Sequence, residues 1–170
     1  MELYLLRHGD AQPRDSSSPD AERALTRKGM QDVQTVTRQA RVGNVRPDVI
    51  LTSPLRRAKE TAAIAQKEMG VKRVLETKAL LPDAAPETLW KELSSIEEAE
   101  RVLLAGHEPC LSRLTQFLLG AKVVLDFKKG AMLRVSIARS SKPGAGASHG
   151  VLKWMITPRL VRKRTQDKPL

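Results

Sequence analysis

A chain of 170 residues can bury roughly 70% of its unfolded-state surface around one core, so it needs no disulfide or metal staple. Hydrophobic residues at 41% and a mean hydropathy of −0.35 exclude a disordered chain, and a single cysteine excludes an internal disulfide and a multi-cysteine zinc site. The net charge is 30 − 19 = +11, and residues 122–170 carry most of it, with twelve Lys and Arg against Asp126 and Asp167.

The N-terminal MELYLL lacks a basic leader and any apolar run near the ~20 residues of a membrane span, so the sequence reads as cytoplasmic, with no membrane partner. Short apolar runs at 2–6, 48–52, 73–76 and 101–105 read as strands. Helical spacing lies between them. Residues 26–41 repeat Met30, Val33, Val36 and Ala40, and residues 55–69 repeat Ala58, Ala62, Ala65 and Met69 between Pro54 and Gly70. Further helices are predicted over 86–98 and 109–119. This alternation predicts an α/β fold with a mostly parallel central sheet and helices on both faces. Strands at 131–138 and 151–157, joined by SSKPGAGASHG, close a C-terminal hairpin. No repeat, linker or long insertion interrupts the chain, and none after Pro82 is long enough to form a cap.

Two histidines stand in the same topological position. His8 follows the first strand in LYLLRHGDA, and His107 follows the fourth in LLAGHEPCL. Each adjoins a glycine, Gly9 or Gly106, that lets backbone approach a ligand. Strands running in parallel deliver both to one edge, where open α/β sheets bind ligands. The strand DVILT brings Ser53, Arg56 and Arg57 to that edge, and only one of the two arginines can turn back toward it. Arginine forks fit phosphate oxygens, and a neutral imidazole can attack phosphorus. Arginines beside the histidines repel a cation, so no metal is expected, and nothing calls for an organic cofactor. His149, in the Gly/Ser loop, reads as a surface residue.

LYLLRHGDA, SPLRRAKET and GHEP resemble the three signature segments of the histidine phosphatase superfamily. RHGDA, RALTRKG and WMITP resemble its short SixA-type phosphohistidine phosphatases. The resemblance extends to about Val161. It implies a phosphoglycerate-mutase-like domain over 1–161, followed by a basic tail, 162–170. It also implies that His8 is the phosphorylated nucleophile, that Arg7 and Arg57 clamp the phosphoryl oxygens, and that His107 bonds the transferring group. Gly9 and Ser53 would line the substrate site, which would hold a phosphate or sulfate ion. In broader relatives an acid follows the third strand; here LLPDAAPETL offers Asp83 or Glu87. Asp83 is the candidate acid, and the alternative for both is ordinary helix N-terminal chemistry, Asp83 in a turn and Glu87 in a first turn.

The substrate implied is a phosphohistidine on a protein, whose P–N bond needs less acid help than an ester. A small-molecule or nucleotide phosphomonoesterase is the alternative within the superfamily, and a non-catalytic polyanion-binding domain is the alternative outside it. Aromatic residues at 3% argue against a nucleic-acid surface, so the basic terminus reads as a solvated end. Cys110 reads as a packed small residue, and Trp90 and Trp154 as core anchors.

Overall fold

The computed structural model describes residues 1–14, 19–96, 99–138 and 150–166, with side chains up to Arg162 in the last stretch. The apolar runs form β1 (Glu2–Arg7), β2 (Val49–Thr52), β3 (Arg73–Glu76), β4 (Arg101–Gly106), β5 (Met132–Ser136) and β6 (Val151–Ile156). The periodic segments form α1 (Arg27–Val42), α2 (Arg56–Met69), α3 (Pro86–Ser95), α4 (Cys110–Leu119) and α5 (Pro158–Gln166). One sheet takes all six strands in the order β3-β2-β4-β1-β5-β6. β1 to β4 pair in parallel, and β5 is antiparallel to both of its neighbours.

Successive residues of each central strand bury opposite faces, which is why the runs show no polar alternation. Leu3, Leu5, Val102 and Leu104 pack with Leu89 and Leu93 of α3 and Leu111, Leu114 and Leu118 of α4. Tyr4, Leu6, Leu103 and Ala105 pack with Val33, Val36 and Ala40 of α1 and Ala62, Ala65 and Met69 of α2. Trp90 and Trp154 are partly buried, one against each of these clusters.

Thr26 caps α1 by accepting from Gly29 N at 3.0 Å. α2 and α4 end on Gly70 and Gly120, whose φ of 70° and 61° suits glycine. Only residues 81–85 separate the short 3-10 turn Lys78–Leu80 from α3, so no cap forms there.

Three details depart from the sequence reading. Met30 is 44% exposed and Gly29 takes its place on the buried stripe. The third helix stops at Ser95 rather than 98. α5 runs across the expected boundary between residue 161 and the tail at 162: Val161 is buried, and Arg162 is ion-paired to Asp32 of α1. Residues 162–166 therefore continue a helix docked on α1, whereas residues 167–170, the hairpin loop and His149 lie outside the described residues.

Candidate active site

Strand register decides where the chemistry-bearing residues leave the sheet. Arg7 stands opposite Gly106, and Thr52 opposite Ala105. The ladder runs one residue further, with His8 N donating to Gly106 O and Ser53 N to Ala105 O, both at 3.0 Å. His8, Ser53 and His107 thus emerge together at the carboxyl edge of the parallel strands.

The two imidazole centroids lie 5.0 Å apart. His8 Nδ1 is 2.7 Å from Gly9 O. A carbonyl only accepts, so Nδ1 carries the proton and Nε2 keeps its lone pair. His107 Nε2 lies 2.8 Å from Ser53 Oγ, and that hydroxyl also accepts from Leu55 N at 3.3 Å. Ser53 and His107 are both buried. His107 Nδ1 is buried with no partner among the described residues.

Burial above all pushes His8 down to about 4, and the charges of Arg57, Arg7 and Lys129 push the same way against the Gly9 carbonyl. Burial, then His8, Arg57 and Arg7, push His107 down to about 3. Both rings are neutral at pH 7.

The paired arginines of α2 separate. Arg56 points outward and meets Glu60 at 2.9 Å. Arg57 is 5% exposed, and its Nη1 and Nη2 donate to Asp20 O at 2.9 Å and Asp20 Oδ2 at 3.2 Å. Arg7 Nη1 donates to Phe127 O at 2.5 Å. The Nε atoms of both Arg7 and Arg57 are buried without partners among the described residues. Burial lowers both guanidinium pKa values. A buried unpaired donor costs about 1–3 kcal/mol, so these Nε groups and His107 Nδ1, if it carries the proton, gain from an oxyanion.

Sequence reasoning missed four residues here. Asp20 gathers Arg23 at 2.9 Å and Arg14 at 3.0 Å as well as Arg57. The Arg23 hydrogen bond, with Arg57 and Arg14 adding to it, pulls its carboxyl down to about 2. Thr61 ties the histidine loop to α2, accepting from Gly9 N at 3.2 Å and donating to Arg57 O at 2.7 Å. Gly29 is where α1 meets that loop: a Cβ there would lie 2.0 Å from Asp10 O, and one on Gly9 2.6 Å from Gly29 O. Lys129 reaches Asp10 at 2.6 Å. For Asp20 a signal was present, since the polar loop 13–22 follows β1 at the binding edge.

Asp83 and Glu87 are exposed and make no hydrogen bond or ion pair among the described residues. Cys110 is buried, which pushes its thiol up to about 11 and keeps it protonated. Among the described residues no three His, Cys, Asp or Glu side chains are grouped to hold a metal, and no helix is long and apolar enough to cross a membrane.

Fold and site together define an α/β protein arranged to receive an oxyanion beside a neutral histidine. The sequence model of the histidine phosphatase superfamily (branch 1) matches residues 3–81, a little under half of the chain. An uncharacterised protein of Picosynechococcus sp. is 34% identical over 113 residues, which is 65% of this chain and 68% of that protein.

Solved structures share the fold. The protein histidine phosphatase SixA, complexed with tungstate, is similar with a TM-score of 0.83 at 21% identity, over 95% of this chain and 99% of that one. The α-ribazole phosphatase of Shigella flexneri gives 0.70 at 18%, over 93% and 97%. Mycobacterial glucosyl-3-phosphoglycerate phosphatase, complexed with VO3, gives 0.67 at 18%, over 90% and 97%.

Proposed function

We propose that the protein is a phosphatase that removes the phosphoryl group from a phosphohistidine on a protein, through a phosphorylated His8 and without a metal or organic cofactor. The observation that carries the reading is His8 itself. Its Nδ1 proton is fixed on Gly9 O, and no hydrogen bond engages its Nε2 among the described residues. Buried donors of Arg7 and Arg57 stand unpaired nearby.

In the first half-reaction the Nε2 lone pair attacks phosphorus as the substrate P–N bond breaks. The departing imidazole keeps that electron pair and takes a proton. Arg7 and Arg57 hold the phosphoryl oxygens. Ser53 Oγ–H donates to His107 Nε2, so that His107 Nδ1–H faces a third oxygen as a donor. Transition-state charge spreads over these oxygens, so positioning and cationic stabilisation carry most of the acceleration. Water then attacks the phospho-His8 phosphorus, breaks the new P–N bond and releases inorganic phosphate.

The identity of the leaving group favours phosphohistidine over a phosphoester. An alkoxide needs an acid in place, and the sequence candidates Asp83 and Glu87 are unanchored and exposed. A small-molecule phosphomonoesterase is the second reading, favoured by the α-ribazole and glucosyl-3-phosphoglycerate phosphatases among the similar folds.

The test compares wild type and His8→Ala on a phosphohistidine-bearing phosphocarrier protein and on an aryl phosphate. Phosphate release from the protein that is lost in the variant is the expected result. Release from the aryl phosphate alone overturns the substrate assignment, and release from neither overturns the activity.

A further inference from the structure

Residues 126–129 and the first turn of α5 border a second cavity, of about 400 Å3. Lys128, Lys129, Arg159 and Arg162 line it with Asp32 and Asp126. Both carboxylates are neutralised within the wall, Asp126 by Lys128 at 2.8 Å and Asp32 by Arg162. Lys129 leans toward Asp10. Arg159 is exposed and has no hydrogen bond or ion pair among the described residues. With Asp10 counted, three of the four cations are ion-paired and Arg159 carries the unbalanced positive charge of the lining.

This cavity adjoins the histidine site through shared backbone. Phe127 O accepts from Arg7 Nη1, and Gly130 N donates to Arg7 O at 3.1 Å and His8 O at 3.0 Å. The two sites differ in kind. In the histidine site the unpaired donors are buried atoms of Arg7, Arg57 and His107. In the second, Lys128 is 64% exposed and Arg159 also lies in solvent. Spread, exposed cations suit an extended acidic surface better than one small anion. The lining contains no aromatic side chain on which a base would stack.

We propose that this cationic wall seats an acidic stretch of the substrate protein, next to the phosphohistidine being hydrolysed. The proposal rests on the phosphohistidine phosphatase reading and adds to it how a protein substrate is chosen. The basic C-terminal third then has a role that is neither a nucleic-acid arm nor a solvated end. Exposed pairs of this kind act mainly on encounter and on KM and are screened by salt.

Two synthetic phosphohistidine peptides test it, one with Glu and Asp flanking the phosphohistidine and one with Gln and Asn. On the wild type the acidic peptide is expected to show a KM about fivefold or more below that of the neutral one, with similar kcat and with the advantage shrinking as salt rises. Arg159→Glu combined with Lys128→Glu removes that advantage while leaving aryl phosphate hydrolysis unchanged, which also verifies that the variant is folded. The single change Arg159→Gln gives an intermediate loss.

Equal KM values for the two peptides on the wild type, or an advantage that survives in the double variant, overturn the docking proposal and leave the phosphohistidine reading standing. Turnover of the aryl phosphate with neither peptide cleaved overturns that reading and the docking with it. Competition by single-stranded DNA but not by an oligoglutamate assigns the wall to nucleic acid and overturns the proposal.

Discussion

Ser53 Oγ lies 2.8 Å from His107 Nε2 inside the protein, and this contact occupies the one ring nitrogen of His107 that has a partner among the described residues. When the hydroxyl donates to Nε2, it holds the tilt of the ring and the tautomer that aims an N–H from the opposite nitrogen. Ser53→Ala leaves the ring packed but free to rotate. The expected result is a kcat lower by about 10- to 100-fold with KM little changed, since small misplacements at a reacting centre are costly. Steady-state hydrolysis separates the two parameters. A change in KM alone would mean that Ser53 touches substrate instead.

The stability of the unliganded protein should fall on mild acidification. In the unfolded chain a histidine takes its proton near 6.5, whereas folded His8 waits until about 4 and His107 until about 3. The unfolded state therefore binds more protons across that interval, and stability drops as pH falls from about 6.5 toward 4. His8 alone contributes on the order of 3 kcal/mol to this loss. Asp20, held at about 2, adds its own loss only below its ordinary range near 3.8. Denaturant midpoints at several pH values check the slope, which should flatten in the His8→Asn variant.

Arg57 is distinguished from Arg56 by burial, so their substitutions should diverge. Arg57→Ala is expected to lower kcat by about 10²–10³, in line with losing one donor to a charged transition state. Arg57→Lys keeps the charge but loses the fork that spans Asp20 and the oxyanion, and it recovers only part of the rate. Arg56→Ala breaks an exposed pair with Glu60 and should cost under about 1 kcal/mol of stability, with no kinetic effect. Thermal shift with tungstate gives an independent readout: the anion should raise the Tm of wild type and of Arg56→Ala, and scarcely that of Arg57→Ala.

A methyl group at Gly29 meets the backbone of Asp10, 2.0 Å from its carbonyl oxygen. In an isolated helix Gly→Ala is stabilising; here α1 must back away from the loop that carries His8 and Gly9. Gly29→Ala is expected to destabilise by about 1–3 kcal/mol, the usual range for overpacking, and to reduce activity as well. Chemical denaturation and hydrolysis rates measured on one sample decide it.

Much of this arrangement is legible in the sequence because buried parallel strands leave a plain signal. Four short apolar runs, each followed by a helical repeat, predict the parallel part of the sheet, and His8 and His107 each close such a run. What escaped has no period. Asp20 sits in a polar loop whose path depends on Arg57, a residue 37 positions away. Met30 matches the helical repeat, yet the buried stripe runs through Gly29 because the histidine loop presses on α1 there. The basic end looked solvated because its buried apolar residues among the described ones, Pro158 and Val161, are few and set between cations.

The order of the strands also bears on how the molecule is made. β1 is synthesised before the other strands of its sheet, yet both of its partners, β4 and β5, lie beyond residue 100. Residues 3–81 carry β1 and the β2–β3 pair with no strand to join them. Until β4 is synthesised, the strand leading to His8 remains an unpaired apolar edge exposed to other chains. A nascent chain stalled before residue 100 is therefore a candidate for chaperone capture, and His8 is among the last groups to find its place.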